Sequence, residues 1–207
     1  MFKGDITLCG SISRTAELKK NKDGGEFIVF SVKYPAVGRD KSVSDIVIMV
    51  SANGGKQETS VYTTGRKVSV KGTFTIRKKD DKVFYNLRAE SEPALVNPTE
   101  EDSLEGTVHF EGKTSKKPIR TGCDKNGQEY LGFSAWSKDK ERNSENPAFV
   151  WFNFMYFHPT NEHKALIKPD TYLAIDGDFQ LRSYNGKPDN NITVHDVKPV
   201  EFDHKKE

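Results

Sequence analysis

The chain writes one pattern twice. Residues 2–10 read Phe2-Lys3-Gly4-Asp5-Ile6-Thr7-Leu8-Cys9-Gly10, and residues 104–112 read Leu104-Glu105-Gly106-Thr107-Val108-His109-Phe110-Glu111-Gly112. Apolar and glycine positions coincide at an offset of 102. The register then drifts slowly. Phe27 and Phe30 answer to Tyr130 and Phe133 at 103, and Gly72-Thr73-Phe74-Thr75-Ile76-Arg77 answers to Gly177-Asp178-Phe179-Gln180-Leu181-Arg182 at 105. A repeat this long is a duplicated domain, because each copy is large enough to enclose a core. The 207 residues therefore divide into residues 1–91, a connector at 92–102, and residues 103–207. Pro93, Pro98 and the acids Glu100, Glu101 and Asp102 make the connector read as stiff and solvated.

The local signal is strand nearly throughout. Ile6, Leu8, Gly10 and Ile12 alternate with polar residues, as do residues 68–76 and 83–89. Period-two alternation bounded by turn residues marks half-buried antiparallel strands. Turns fall at Asp23-Gly24-Gly25, Asp80-Asp81, Asn126-Gly127 and Asn185-Gly186. One short helix is expected between the third and fourth strands of each copy, over about Lys56–Thr63 and over Thr160–Lys168 before Pro169. The order strand, strand, strand, helix, strand, strand is that of an OB-fold, a five-stranded Greek-key barrel. The expected class is all-β, two tandem barrels.

The net charge of +2 conceals an asymmetry. Residues 1–99 hold 17 Lys+Arg against 11 Asp+Glu, and residues 100–207 hold 15 against 19. Aromatics run the other way, 8 against 14. A cationic copy and an aromatic copy each suit a nucleic-acid surface. No apolar stretch approaches 18 residues, so no transmembrane helix is expected. The start lacks a signal-peptide core, which sets the expectation of a cytoplasmic protein, in a bacterial cell or a phage-infected host. Cys9 and Cys123 sit at non-equivalent places, so neither a bridge nor a metal pair is expected. There is no Walker loop, dinucleotide glycine pattern or His-Glu-x-x-His, and the five histidines lack ligand spacing. Neither enzymatic activity nor a cofactor is expected.

The densest feature is Phe149-Val150-Trp151-Phe152-Asn153-Phe154-Met155-Tyr156-Phe157. Strand alternation sets Trp151, Asn153, Met155 and Phe157 on one face. Phe149, Phe152, Phe154 and Tyr156 take the other if a bulge intervenes. A small barrel buries only one face of a strand, so at least one row lies outside, and base stacking suits it. Candidates from the two rows are Trp151, Phe157, Phe154 and Tyr156. Trp136 should point away from the core, and the corresponding place in the first copy is Lys33, a candidate phosphate ligand, followed by Tyr34, a candidate for base stacking. Arg77, Lys78, Lys79 and Lys82 crown a hairpin with Phe84 and Tyr85 beside them. Arg182, Tyr184 and Lys187 crown its counterpart. Arg39, Lys41, Arg66, Lys67 and Arg88 extend a track of candidate phosphate ligands.

Each copy resembles the bacterial and phage single-stranded DNA-binding proteins of the SSB type. The first shows Gly10, Gly24-Gly25, Phe27-Ile28-Val29-Phe30-Ser31-Val32 and the run Gly65 to Arg77. The second shows Gly112, Asn126-Gly127, Tyr130-Leu131-Gly132-Phe133-Ser134-Ala135 and the run Tyr172 to Arg182. The resemblance implies base stacking by Trp151, Phe157 and Tyr184, whereas the first copy has Lys79 in the place of Tyr184. It implies sequence-independent binding of single-stranded DNA in replication, recombination or repair, with RNA as an alternative strand. Four OB units per particle are common in this family, so a homodimer would supply them; a monomer already supplies two. The family's acidic tail tipped with Pro-Phe is not matched by Val200–Glu207, so partner recruitment by that route is not expected. A protein-interaction adaptor of a replication or recombination complex is the alternative reading, and an aromatic carbohydrate platform is a third.

Overall fold

The computed structural model describes residues 1–79, 82–138 and 148–200. In chain order the elements are β1 (Phe2–Lys20), β2 (Glu26–Val37), β3 (Val43–Asn53), a 3-10 turn (Glu58–Ser60), β4 (Lys67–Lys79), β5 (Lys82–Ala89) and β6 (Ala94–Leu95). They continue with β7 (Ser103–Thr114), β8 (Arg120–Cys123), β9 (Glu129–Lys138), β10 (Phe149–Phe157), α1 (Asn161–Leu166), β11 (Tyr172–Tyr184) and β12 (Lys187–Pro199). The fold is all-β, as the alternation predicts. Among the described residues no helix is long and apolar enough to cross a membrane.

The pairings close on themselves in each half. β1 pairs with β2, β2 with β3, β3 in parallel with β5, β5 with β4, and β4 returns to β1. The second half repeats the circuit through β7, β9, β10, β12 and β11, again with one parallel step, β10 beside β12. The repeated glycines mark where strands cross closely. A Cβ on Gly72 would stand 2.0 Å from the Arg88 carbonyl oxygen, and one on Gly177 2.3 Å from that of Thr193. No side chain fits there, so the same letter recurs in both copies.

The halves differ in two local features. β1 runs unbroken to Lys20, while its counterpart is split into β7 and β8 around Lys116-Lys117-Pro118, where proline has no N–H to give a ladder. The helix expected over Lys56–Thr63 is only a three-residue 3-10 turn. The Thr59 hydroxyl donates to the Lys56 carbonyl and the Ser60 hydroxyl to that of Gln57, at 2.7 Å each, and this local bonding competes with an α-helical ladder. In α1 the Thr160 side chain caps the helix by accepting from the His163 N–H.

The halves are joined by more than the connector. β1 and β7 run antiparallel from the Phe2–Phe110 pair to the Cys9–Ser103 pair, so one sheet passes from one half into the other. Phe2 stacks on Phe152 at 4.7 Å, and Phe74 meets Phe179 at 5.5 Å. The buried apolar residues of both halves form one continuous cluster. The connector itself is docked rather than free. Ala94 and Leu95 pair with β4, the Pro93 carbonyl accepts from the buried Tyr62 hydroxyl at 2.9 Å, and Asp102 meets Lys67 at 2.9 Å.

Candidate functional site

β10 alternates strictly, without the bulge allowed for in the sequence. Val150, Phe152, Phe154 and Tyr156 are buried, and Phe149, Trp151, Asn153, Met155 and Phe157 face outward. Phe149 thus joins the outer row, while Phe154, at 1% exposure, stacks on Phe133 inside. Tyr156 also turns inward, its hydroxyl bonded to the His163 imidazole of α1. Phe154 and Tyr156 are therefore core residues and closed to a base. The physical reason is packing: the core takes the row whose rings meet Phe110 and Phe133.

The outer row is widened by its neighbour. Trp136 of β9 lies directly opposite Trp151, and Tyr130 opposite Phe157. Trp136 meets Phe149 edge-on at 4.6 Å and Tyr172 at 6.2 Å. Lys113 lies over the Tyr172 ring at 5.5 Å. Trp151 is 53% exposed, with Phe149 and Phe157 also open. The polar Asn153 is held in this row, accepting from the Ser134 hydroxyl and donating to Asp189, each at 2.8 Å. Phe149, Tyr130 and Tyr172 extend the face beyond the residues singled out in the sequence. Strict alternation from Trp151 would have found Phe149. Tyr130 and Tyr172 appear only through cross-strand register.

Among the described residues the first half carries no such platform. Val50 stands opposite Phe30 as Phe154 stands opposite Phe133, so Val47 occupies the place of Trp151 and Asp45 that of Phe149. Lys33, opposite Val47, replaces Trp136 and pairs with Asp45 at 2.6 Å. An ion pair sits where the other half has an aromatic contact. Val43, Val47 and Met49 leave this face aliphatic and exposed.

Cations gather instead on the β4–β5 hairpin. Arg77 lies opposite Phe84, Lys79 opposite Lys82, and Arg88 opposite Thr73. Phe84 and these cations are exposed, and Lys78 is half-buried. Tyr85 is not part of this surface. It is buried, its hydroxyl donates to Asn190 Oδ1 across the two halves at 3.3 Å, and burial, followed by the Asp189 charge, pushes its phenol well above the usual value.

A second cationic group draws on both halves. The loop between β2 and β3 reaches the β11–β12 hairpin: Ser42 and Ser44 each bond Ser183 at 2.9 Å, and Asp40 accepts from the Asn185 N–H at 3.4 Å. Asp40 is held below the usual carboxyl range chiefly by hydrogen bonds from Ser42. This brings Arg39 and Lys41 toward Arg182, Tyr184 and Lys187. Burial lowers the Arg182 guanidinium, and the Arg39 charge adds to the effect. Tyr184 is exposed at the hairpin tip, where Asn185 and Gly186 take positive φ as a type I′ turn requires. Tyr34 is half-buried, its phenol raised by burial and then by Asp102 and Glu105.

Three of the expected phosphate ligands are spent elsewhere, Lys33 in its pair with Asp45 and two more in the frame of the fold. Lys67 is 8% exposed and bound to Asp102, so it anchors the connector. Arg66 donates to the Val61 carbonyl at 2.8 Å, bracing the loop before β4. Among the described residues no group of three or more His, Cys, Asp or Glu is placed to hold a metal ion.

The expected SSB resemblance is met among solved structures. Wild-type single-stranded DNA binding protein from Thermus aquaticus matches at 12% identity and TM-score 0.48, over 99% of this chain and 96% of that one. A mitochondrial single-stranded DNA binding protein from S. cerevisiae, Rim1, matches at 16% and 0.35, over 44% of this chain and 90% of that one. The N-terminal domain of PriB from Thermoanaerobacter tencongensis matches at 22% and 0.32, over 46% and 97%. No protein-family model and no curated protein matches. None of these three structures reaches a TM-score of 0.5, and the functional reading rests on the geometry instead.

Proposed function

We propose that this chain binds single-stranded DNA without sequence preference, as two tandem OB-fold barrels, one in each half. The observation that carries the reading is the outer row of β10. Trp151 stands exposed with Trp136 directly opposite and Phe149 and Phe157 along the same face, on a strand whose other row already fills the core. Bases of any identity have a π-face for such a platform, at roughly 1–3 kcal/mol per base. The β4–β5 hairpin and the Arg39–Lys187 group supply cations to the phosphates. The role that fits is protection of exposed strands in replication, recombination or repair, and RNA is a candidate for the same faces. A homodimer of the chain would present four such units.

A specific observation favours a second reading. The exposed aliphatic row Val43, Val47 and Met49 suits a protein partner, as in an adaptor of a replication complex.

Titration with oligo-dT at low and high salt, followed by tryptophan fluorescence, tests the first reading, with duplex DNA as control. Quenching by the single strand alone is the expected result. Absence of binding would overturn it in favour of the protein partner.

A further inference from the structure

The repeat gives the molecule two grooves at the junction of its halves, related by exchange of one copy for the other. The first, of about 300 Å³, is lined by Lys3, Thr73, Arg77, Ser137 and Lys138 with the N-terminal residues. The second, of about 950 Å³, is lined by the counterparts Glu105, Asp178, Arg182, Tyr34 and Pro35, together with Asp102. Each groove is framed by the start of β1 or β7, the outer row of β4 or β11, and the end of the strand from the opposite copy, β9 or β2.

The two have opposite charge. The first holds Lys3, Arg77 and Lys138 and, among the described residues, no carboxylate in its lining. The second holds three carboxylates and one guanidinium, and that guanidinium is half-buried against Gln180. The reversal is sharpest at Lys3, whose repeat counterpart is Glu105. Lys3, Arg77 and Lys138 are all exposed. None of the three has an ion pair among the described residues.

The basic groove also lies between the two faces described above. Arg77 is opposite Phe84 on the hairpin of the first half. Lys138 is opposite Phe149, which touches Trp136. From Phe84 through Arg77, Lys3 and Lys138 to the tryptophans, aromatic and cationic groups follow one another, and among the described residues no acid lines the groove between them.

We infer that a single strand passes between the halves on one side only, through the Lys3–Arg77–Lys138 groove, and is excluded from the Glu105–Asp178 groove. Phosphate is attracted to the first by Lys3, Arg77 and Lys138 and repelled from the second by its carboxylates, of which Asp102 is paired with Lys67 and Asp178 contacts His195. This inference rests on the single-strand reading above and adds a path to it.

The test compares Lys3→Gln/Lys138→Gln with Glu105→Gln/Asp178→Asn, on oligo-dT of about 30 nucleotides, long enough for two barrels, and of about 6, enough for the aromatic face alone. Thermal melting confirms that each variant folds. The basic-groove variant is expected to bind the long strand about tenfold more weakly, with a salt slope shallower by about 1.4 for two lost phosphate contacts, and to bind the short strand like wild type. The acidic-groove variant is expected to bind both like wild type. If wild type binds but the basic-groove variant matches it on the long strand, or the acidic-groove variant shifts long-strand binding as much, the path is wrong and the single-strand reading stands. If wild type does not bind either oligomer, both fall.

Discussion

Asp5 of β1 and Thr107 of β7 face each other across the strand pair that joins the halves, and each is the other's counterpart in the repeat. A residue that pairs with its own equivalent lies on a two-fold axis, as in an isologous dimer interface. The same exchange relates Gly4 opposite Val108 to Ile6 opposite Gly106. It also relates Phe74 to Phe179 and Tyr85 to Asn190, which meet each other directly. The junction is a symmetric dimer contact built within one chain.

Because the core is continuous across that axis, the halves should unfold together. Guanidine denaturation followed by tryptophan fluorescence, which reports only the second half, should coincide with far-UV circular dichroism, which reports both. Phe179→Ala should move both curves together, at a cost of about 3–5 kcal/mol. Two separated transitions would mean that the halves are independent.

Trp151 and Phe154 lie three residues apart on opposite faces of β10, so their variants should fail differently. Trp151→Ala should cost under about 1 kcal/mol of stability but roughly 1–3 kcal/mol of affinity for oligo-dT, with an unchanged salt slope. Phe154→Ala should cost about 3–5 kcal/mol of stability. Paired melting and binding curves separate the two.

Lys67 and the hairpin lysines should also part company. Lys67→Met should leave the salt dependence of DNA binding untouched, because its ammonium is held by Asp102. Asp102→Asn, which leaves that buried cation without its charge partner, should destabilise the fold by about 1–3 kcal/mol. Lys79→Gln/Lys82→Gln should instead flatten the slope by about 1.4. A Lys67→Met variant with a flattened slope would place that lysine on the DNA.

The tyrosines set the alkaline limit. Burial raises the phenols of Tyr34, Tyr62, Tyr85 and Tyr156 above their usual value near 10. The folded state therefore favours their neutral forms. Stability is intact below pH 10 and is lost as pH climbs from there through the folded values. Absorbance at 295 nm should show these four ionising late and together with unfolding. Free titration of all seven tyrosines near pH 10 in a folded protein would contradict this. Tyr85→Phe should cost about 1 kcal/mol, since it leaves Asn190 Oδ1 without its donor.

What was legible in the sequence is what a single strand or turn decides by itself. Gly72 and Gly177 are required because a neighbouring carbonyl leaves no room for a Cβ, so glycine recurs in both copies whatever the surroundings. Period two likewise separates Trp151 from Phe154. It does not say which row the core encloses, since that depends on Phe110 and Phe133 from other strands. Tyr85 and Lys67 resembled members of a surface set because their neighbours Phe84 and Arg66 are exposed. Their partners, Asn190 and Asp102, are 105 and 35 residues away. The pairing of β1 with β7 has no local signature, because two equivalent edges are required before either has a partner.

Joining those edges in one chain makes their association first order. Two separate copies would part on dilution, whereas here the linked edge stays at an effective concentration fixed by the connector, whatever the amount of protein. Covalent linkage also releases the copies from the requirement to be the same. In a homodimer, a lysine at position 3 would be duplicated by the axis and line both grooves. In this chain one copy keeps the lysine and the other has Glu105, so a symmetric scaffold presents two unlike sides.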